Sequence, residues 1–410
     1  MKKILFTLFV AIATITPSVA KDYFGPVEAE EGRQFIYYLP KTVQSGDKLP
    51  VIIFLHGLGS YNTSFYPTQA QAWADKYHCA VLAPQALPEK DQTLLQMLDV
   101  VSPDFANELK KSAWGANVYI RISDLDVTTQ SLIQAFYPQY YQAGKIQINK
   151  NVIDEYFIQR CLLILRSTLY SDKNVNVDAN KTFIVGLSLG GAMAYHYALS
   201  DVNNAKKLVS MSGFVSKGVT FTSPYSMPTL VFHSKTDDVV EYNGGLFNRP
   251  IEEIVNEIVE LGYHPTSVHY TINEDKDYDK QINVTHWEDG PEIKFYSINK
   301  ASHTLDVDLK NMGVDIFSVI GDFLFGAPSA VDETEADNAI TLYPNPASDI
   351  LNIKSDVEFS RAMVTNIAGQ TFQLPVTENT VDVTSLANGL YIINLTTENG
   401  TVERAKFVKE

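Results

Sequence analysis

The chain has 410 residues, 45% of them hydrophobic, which is enough for a sizeable core spread over two or three domains. Its 48 acidic residues outnumber 32 basic ones, and a formal net charge of −16 argues against nucleic acid or an anionic membrane as partner. Only two cysteines occur, Cys79 and Cys161; neither sits in a metal or redox motif, and the sequence leaves open whether they pair.

Residues 1–20 read as a secretory leader. Lys2 and Lys3 form its positive start, Ile4 to Ile15 is an apolar stretch too short to span a bilayer, and Ser18-Val19-Ala20 offers small residues for cleavage before Lys21. No cysteine follows that site, so no lipid anchor is expected, and no other stretch suits an integral membrane segment. Arg33 to Leu39 reads as a strand. Pro50 to Leu55 is a near-continuous apolar run, as in a strand buried on both faces of a parallel sheet. It runs into His56-Gly57-Leu58-Gly59-Ser60, where the glycines let the backbone turn the N–H of Leu58 toward a site. His56 is expected to hold this loop rather than to react. A helix over Gln69 to Tyr77 and a buried strand over Cys79 to Ala83 follow. From about 86 to 151 the strand pattern lapses and aromatics gather, Trp114, Tyr119 and Phe136 among them; an insertion of this kind reads as a partial lid. Residues 152–170 return to helical periodicity, with Ile153, Phe157, Leu162, Leu165 and Leu169 on one face.

Thr182 to Val185 is a short run of strand-forming residues. Gly186-Leu187-Ser188-Leu189-Gly190-Gly191 follows, and then small helix-forming residues run to Leu199. Strand, tight turn and helix are the context of a G-x-S-x-G nucleophile elbow. Glycine is required two residues either side of Ser188 because a side chain there would collide across the turn. Ser188 Oγ is then exposed at a helix start, and the N–H of Leu189 faces the space beside it. Lys207 to Met211 and Thr229 to His233 read as strands, the second opening into S-K-T-D-D-V-V-E-Y. A helix over 251–262, a strand over His264 to Tyr270, a polar stretch and a last strand over Ile293 to Ile298 complete the series. The alternation predicts an α/β class with a doubly wound, mostly parallel sheet.

A serine hydroxyl is a weak nucleophile and needs a base held by an acid. On the α/β-hydrolase fold these follow in the order Ser, Asp or Glu, His, each just past a strand. Asp237, Asp238 and Glu241 all fall in the turn after Thr229 to His233, and composition does not choose among them. Of eight histidines, His303 lies just past the last strand, where the base belongs, whereas His233 lies on a strand and His286 ahead of one. No His, Cys, Asp and Glu cluster has metal-ligand spacing, and no cofactor is expected.

From about residue 30 to 326 these motifs resemble the polyhydroxybutyrate depolymerase and feruloyl esterase group of secreted α/β-hydrolases. H-G-L-G-S resembles its oxyanion loop, and G-L-S-L-G-G-A-M-A its elbow. H-S-K-T-D-D-V-V-E-Y-N-G-G, residues 233–245, resembles its acid segment, and A-S-H-T the surroundings of its base. The resemblance implies Asp237 rather than Asp238 as the acid, with Ser188 and His303 beside it and the N–H groups of Leu58 and Leu189 as oxyanion hole. It also matches Trp114 to a tryptophan of that group. Glu241 in place of proline, Ala301-Ser302 in place of two glycines, and Leu305 in place of tryptophan depart from its pattern. These departures bear on the substrate more than on the chemistry.

Residues 327–337 are small, acidic and linker-like, and 338–410 form a series of short alternating strands that fits a small all-β sandwich. L-Y-P-N-P-A-S-D near its start and a terminal K-F-V-K-E resemble the C-terminal sorting domain of type IX secretion in Bacteroidetes, which implies the type IX machinery as partner and a secreted or cell-surface location. A carbohydrate-binding sandwich is the weaker reading, since this tail has no tryptophan to stack on sugar. These resemblances imply that residues 21–326 are the catalytic domain of a secreted serine esterase, expected to act on feruloyl or acetyl esters of plant polysaccharide or on a polyhydroxyalkanoate-type polyester. A serine peptidase of prolyl-oligopeptidase type and a non-catalytic binding protein on the same scaffold are the competing readings.

Overall fold

A computed structural model describes residues 23–221, 224–264, 266–326, 340–355, 357–366, 371–397 and 402–410. The expected leader, 1–20, and linker, 327–337, lie outside the described residues. The chain divides into two compact units, one ending at Phe325 and one beginning at Gly326.

The first unit opens with β1 (Phe24–Glu30), β2 (Arg33–Tyr38), β3 (Lys48–Leu55), α1 (Pro67–Tyr77) and β4 (Ala80–Pro84). An insertion follows: α2 (Gln92–Val101), α3 (Pro103–Leu109), β5 (Tyr119–Arg121), α4 (Val127–Phe136), α5 (Pro138–Ala143) and β6 (Lys145–Gln147). The sheet resumes through α6 (Asp154–Lys173), β7 (Asn176–Leu187), α7 (Leu189–Ala198), β8 (Lys207–Met211), β9 (Thr229–Ser234), α8 (Ile251–Leu261), β10 (Val268–Ile272), β11 (Ile282–Trp287) and β12 (Ile293–Ile298). Helices α9 (Asp306–Asn311) and α10 (Ile316–Phe325) close the unit.

Strands β5 and β6 pair with each other in the insertion, and the other ten form one sheet in the order β1-β2-β4-β3-β7-β8-β9-β12-β11-β10. Its centre, β4 to β12, is parallel, and the two flanks are antiparallel. Because side chains alternate along a strand, β3 feeds both faces. Val51, Ile53 and Leu55 enter a core shared with α6, α7 and α8, whereas Ile52 and Phe54 enter one shared with α1, α9 and α10. This two-faced burial explains the unbroken apolar run read in the sequence. Each such side chain contributes about 1.5–3 kcal/mol by leaving water. The result is a doubly wound α/β-hydrolase sheet.

Two elements differ from expectation. The polar stretch after β10 contains β11, and the pair extends the parallel sheet by an antiparallel hairpin. Strand β10 itself begins at Val268, not His264, and its first three residues are exposed, which hides the alternation that reveals a strand. Ile153, counted with the buried face of α6, instead precedes the helix and is 59% exposed.

The insertion is packed rather than loose. Glu89 is buried and its carboxylate accepts from the N–H groups of Lys90, Asp91 and Asn149, while the Asn149 amide donates to the carbonyls of Leu87 and Ala113. Asp154 closes the neck: it accepts from the Gly115 N–H and forms a buried ion pair with Arg33, whose guanidinium lies 3.6 Å from the Phe157 ring centroid. Cys79 and Cys161 are free, buried thiols.

The second unit carries two four-stranded antiparallel sheets. One contains Thr341–Tyr343, Ile350–Lys354, Val376–Thr377 and Thr380–Asp382; the other contains Arg361–Asn366, Thr371–Leu374, Gly389–Thr396 and Val402–Lys409. Leu351 and Ile353 from the first sheet and Val364, Ile393 and Leu395 from the second share one core. This is the small sandwich expected from its alternating pattern. Among the described residues no helix is long and apolar enough to cross a membrane.

Candidate active site

The carboxyl ends of β3, β7, β8, β9 and β12 supply the site. Strand β7 turns directly into α7 at Ser188, which adopts φ 56° and ψ −123°. That conformation is strained for a residue with a side chain and persists only where the surroundings impose it. Two glycines allow it. A Cβ on Gly186 would lie 2.1 Å from the Gly190 carbonyl oxygen, and one on Gly190 would lie 2.3 Å from that of Leu55. The second contact brings the elbow against the end of β3, where Gly57 sits close to the Ser188 side chain.

The loop after β3 is held from several sides. The Trp114 indole N–H, arriving from the insertion, donates to the His56 carbonyl at 2.8 Å. The Ala86 N–H donates to His56 Nε2 (3.2 Å), so the ring proton sits on Nδ1 and is donated to the Gly57 carbonyl (2.8 Å). Complete burial lowers the His56 pKa to about 4. The ring is therefore a neutral brace. The N–H of Gly59 donates to Ser112 and that of Ser60 to Gly57, leaving Leu58's N–H outside both bonds. Leu189 is the first residue of α7, where N–H groups lack an intrahelical acceptor.

His303 Nδ1 and Asp237 Oδ2 are hydrogen bonded at 2.8 Å. Asp237 Oδ1 accepts from the N–H groups of Val239 and Val240, both at 2.9 Å. Burial pushes the Asp237 pKa up, but the His303 hydrogen bond and the charges of His303 and His233 outweigh it and hold the carboxyl below its ordinary value. Asp238, its neighbour, points into solvent. Glu241 uses its backbone carbonyl to accept from Asn248 rather than meeting His303. Among the three acids, geometry therefore singles out Asp237.

Hydrogen bonds also tie the serine to the histidine loop. The Ser188 N–H donates to the Met211 carbonyl (2.9 Å), and the next residue, Ser212, donates its hydroxyl to the His303 carbonyl (2.7 Å). His303 Nε2 is buried and makes no hydrogen bond among the described residues, the one to Ser188 included. Such bonds are often open in a ligand-free site and close only around substrate.

Ser212, Trp114's donation to His56, and the Val239 and Val240 amides were not singled out as functional in the sequence. Each acts on a partner distant in the chain or through backbone, so no local motif marks it. His233 is a further case. It is fully buried on β9, its Nε2–H donates to the Val240 carbonyl (2.8 Å), and it lies 3.5 Å from Asp237 Oδ2. It braces the acid's turn from behind. Burial first of all lowers its pKa to about 4. His286, on β11, pairs with Glu288 and Glu292 away from this constellation. Among the described residues no cluster could hold a metal ion.

His56 and His233 carry a consequence for acid stability. Each stays neutral in the fold down to about pH 4 but takes a proton near pH 6.5 when unfolded. The unfolded chain thus binds more protons between these values, and stability falls as pH drops from about 6.5 to about 4. Urea titrations across this range are expected to lose about 1 kcal/mol or more per pH unit. A flat profile would show that these rings are not buried neutral.

Residues 128–275 match the family model described as Phospholipase/Carboxylesterase, and residues 341–410 match the Secretion system C-terminal sorting domain. The first match covers part of the first unit, the stretch holding Ser188 and Asp237, and makes it similar to carboxylesterases; the second covers the tail and marks the chain for export or the cell surface. No curated protein matches it. Similar solved structures include the acetyl xylan esterase from Aspergillus awamori, at 12% identity and TM-score 0.39, covering 70% of this chain and 97% of that one. The esterase PE8 is 16% identical with TM-score 0.35, covering 68% of this chain and 94% of that one. The acylaminoacyl peptidase of Pyrococcus horikoshii is 14% identical with TM-score 0.39, covering 73% of this chain and 40% of that one.

Proposed function

We propose that the protein is an exported serine esterase that cleaves carboxylic esters through an acyl-enzyme. The observation that carries this reading is the His303–Asp237 hydrogen bond, made by a buried carboxylate, at the same sheet edge as a strained Ser188. Ser188 Oγ attacks the ester carbonyl carbon while its proton passes to His303 Nε2. The negative charge that develops on the carbonyl oxygen is met by the N–H groups of Leu58 and Leu189. Collapse of this intermediate expels the alcohol, which takes the proton from His303. Water then attacks the acyl-serine by the same route and releases the acid. Asp237 keeps the imidazole in the tautomer with its proton on Nδ1 and stabilises its charged form.

Substrates in this reading are feruloyl or acetyl esters on plant polysaccharide, or a polyhydroxyalkanoate-type polyester. The insertion serves as a partial lid, with its Asp124 paired to Lys217 in the loop after β8 (2.9 Å). The sorting tail passes the chain to a type IX secretion machinery.

The test compares the full chain with its Ser188→Ala variant, using a fluorophosphonate probe and matched ester and amide substrates. Labelling confined to the wild type, with esters cleaved and amides left intact, supports the esterase. Faster amide cleavage would move the assignment to a peptidase. Folded protein that neither labels nor turns over would leave a binding protein.

A further inference from the structure

Beside the loop carrying Leu58, on the far side from Ser188, the first unit has a second pocket that the chemistry above does not use. Its volume is about 290 Å³, at the small end of small-molecule sites. The start of β2 contributes Gln34, the residues past the glycine loop contribute Tyr61 and Asn62, the end of β4 contributes Gln85, and Lys111 stands at the rim. Residues Leu82 of β4 and Ile184 of β7 both pair with Ile53 of β3, so the ends of β4 and β7 lie in one row across the sheet. Gln85 and Ser188 are thus two strand spacings apart, about 10 Å.

The lining has a particular chemistry. Tyr61 is 49% exposed, and its ring and hydroxyl have no partner among the described residues. The exposed Gln34 side chain likewise has none. Behind them the amides are fixed: Asn62 Nδ2 donates to the Ala83 carbonyl (3.0 Å), and Gln85 Oε1 accepts from the Asn62 N–H (2.9 Å). Gln85 Nε2 reaches the carbonyl of Ala86 (3.2 Å) and lies 3.3 Å from His56 Nε2. Two cations line the pocket, and both are neutralised: Lys111 by Glu108 at 2.7 Å, and Arg33 by Glu30 at 3.1 Å and by Asp154. An unpartnered aromatic face beside amides that both donate and accept, with no free charge, fits a sugar. The C–H face of the ring packs on tyrosine, and its hydroxyls exchange hydrogen bonds with the amides. An anion would need an unpaired cation. An aliphatic polyester offers acceptors only, so the amide oxygens would gain nothing from it.

We infer that this pocket is a carbohydrate subsite, which holds the saccharide part of the substrate while an ester about two strands away reaches Ser188. The link to catalysis rests on the esterase reading, but saccharide binding does not.

The experiment titrates the full chain carrying Ser188→Ala with xylotetraose, cellotetraose and mannotetraose by calorimetry. At least one is expected to bind saturably, and adding Tyr61→Ala or Gln34→Ala should weaken it about tenfold or more. With Ser188 intact, Tyr61→Ala is expected to cost about tenfold more in kcat/KM on an acetylated xylo-oligosaccharide than on p-nitrophenyl acetate. The inference is overturned if no tetraose binds, if binding is the same in both variants, or if a hydroxybutyrate oligomer occupies the pocket instead. Failure to hydrolyse p-nitrophenyl acetate would remove the esterase reading, while the titration would still decide the pocket.

Discussion

Ser188→Ala is expected to lower kcat on an ester by about a thousandfold or more, with thermal unfolding close to wild type. The two halves of this result have separate causes. The hydroxyl is the only group lost, and in the proposed mechanism it is the one that forms the covalent bond. The elbow does not depend on it, since the turn is imposed by the close approach of Gly186 to Gly190 and of Gly190 to Leu55 and His56. The Ser188 N–H also remains to bond the Met211 carbonyl. Steady-state assays and a melting curve on the same preparation check both halves. Activity retained by a folded variant would place the nucleophile elsewhere.

The pair Asp237→Asn and Asp238→Asn gives the second large effect, because adjacent aspartates should respond in opposite ways. Asp237→Asn keeps the shape but removes the charge facing the imidazolium, and it lets the ring settle in the wrong tautomer. A loss of about a thousandfold or more in kcat is expected. Asp238 is exposed, and its substitution should leave kcat within about twofold. Acid behaviour adds a second readout. The Asp237 carboxyl is held below its ordinary value, so its contribution to stability is complete above about pH 4 and fades as pH falls through the folded value. Asp237→Asn should lack that part of the acid transition. Equal losses in the two variants would contradict the assignment of the acid.

The sheet's central strands were readable because burial on both faces leaves uninterrupted apolar runs, as in Pro50 to Leu55. Strand β10 was read with its start four residues too early and its partner β11 was missed, because residues 268–270 face solvent and carry no such run. The insertion was opaque for a different reason. Its order comes from contacts between distant residues, Glu89 with Asn149 and Arg33 with Asp154, that leave no periodic trace.

At the site the same division holds. The sharp turn at Ser188 was legible because it needs glycine at fixed offsets, and steric exclusion writes itself into sequence. The position of His303 just past β12 was legible too, and its bond to Asp237 is what the fold adds. The acid was not fixed by composition: Asp237 and Asp238 differ in one position along the chain, and only the fold buries one against His303 and turns the other to water. The braces behind them, Trp114 on His56, Ser212 on the His303 carbonyl and His233 on the Val240 carbonyl, also belong to tertiary structure alone. Local sequence determined where the chain turns sharply and which segments avoid water, since both are constraints between near neighbours. Which side chains meet across those turns was decided only when the strands aligned their carboxyl ends along one edge.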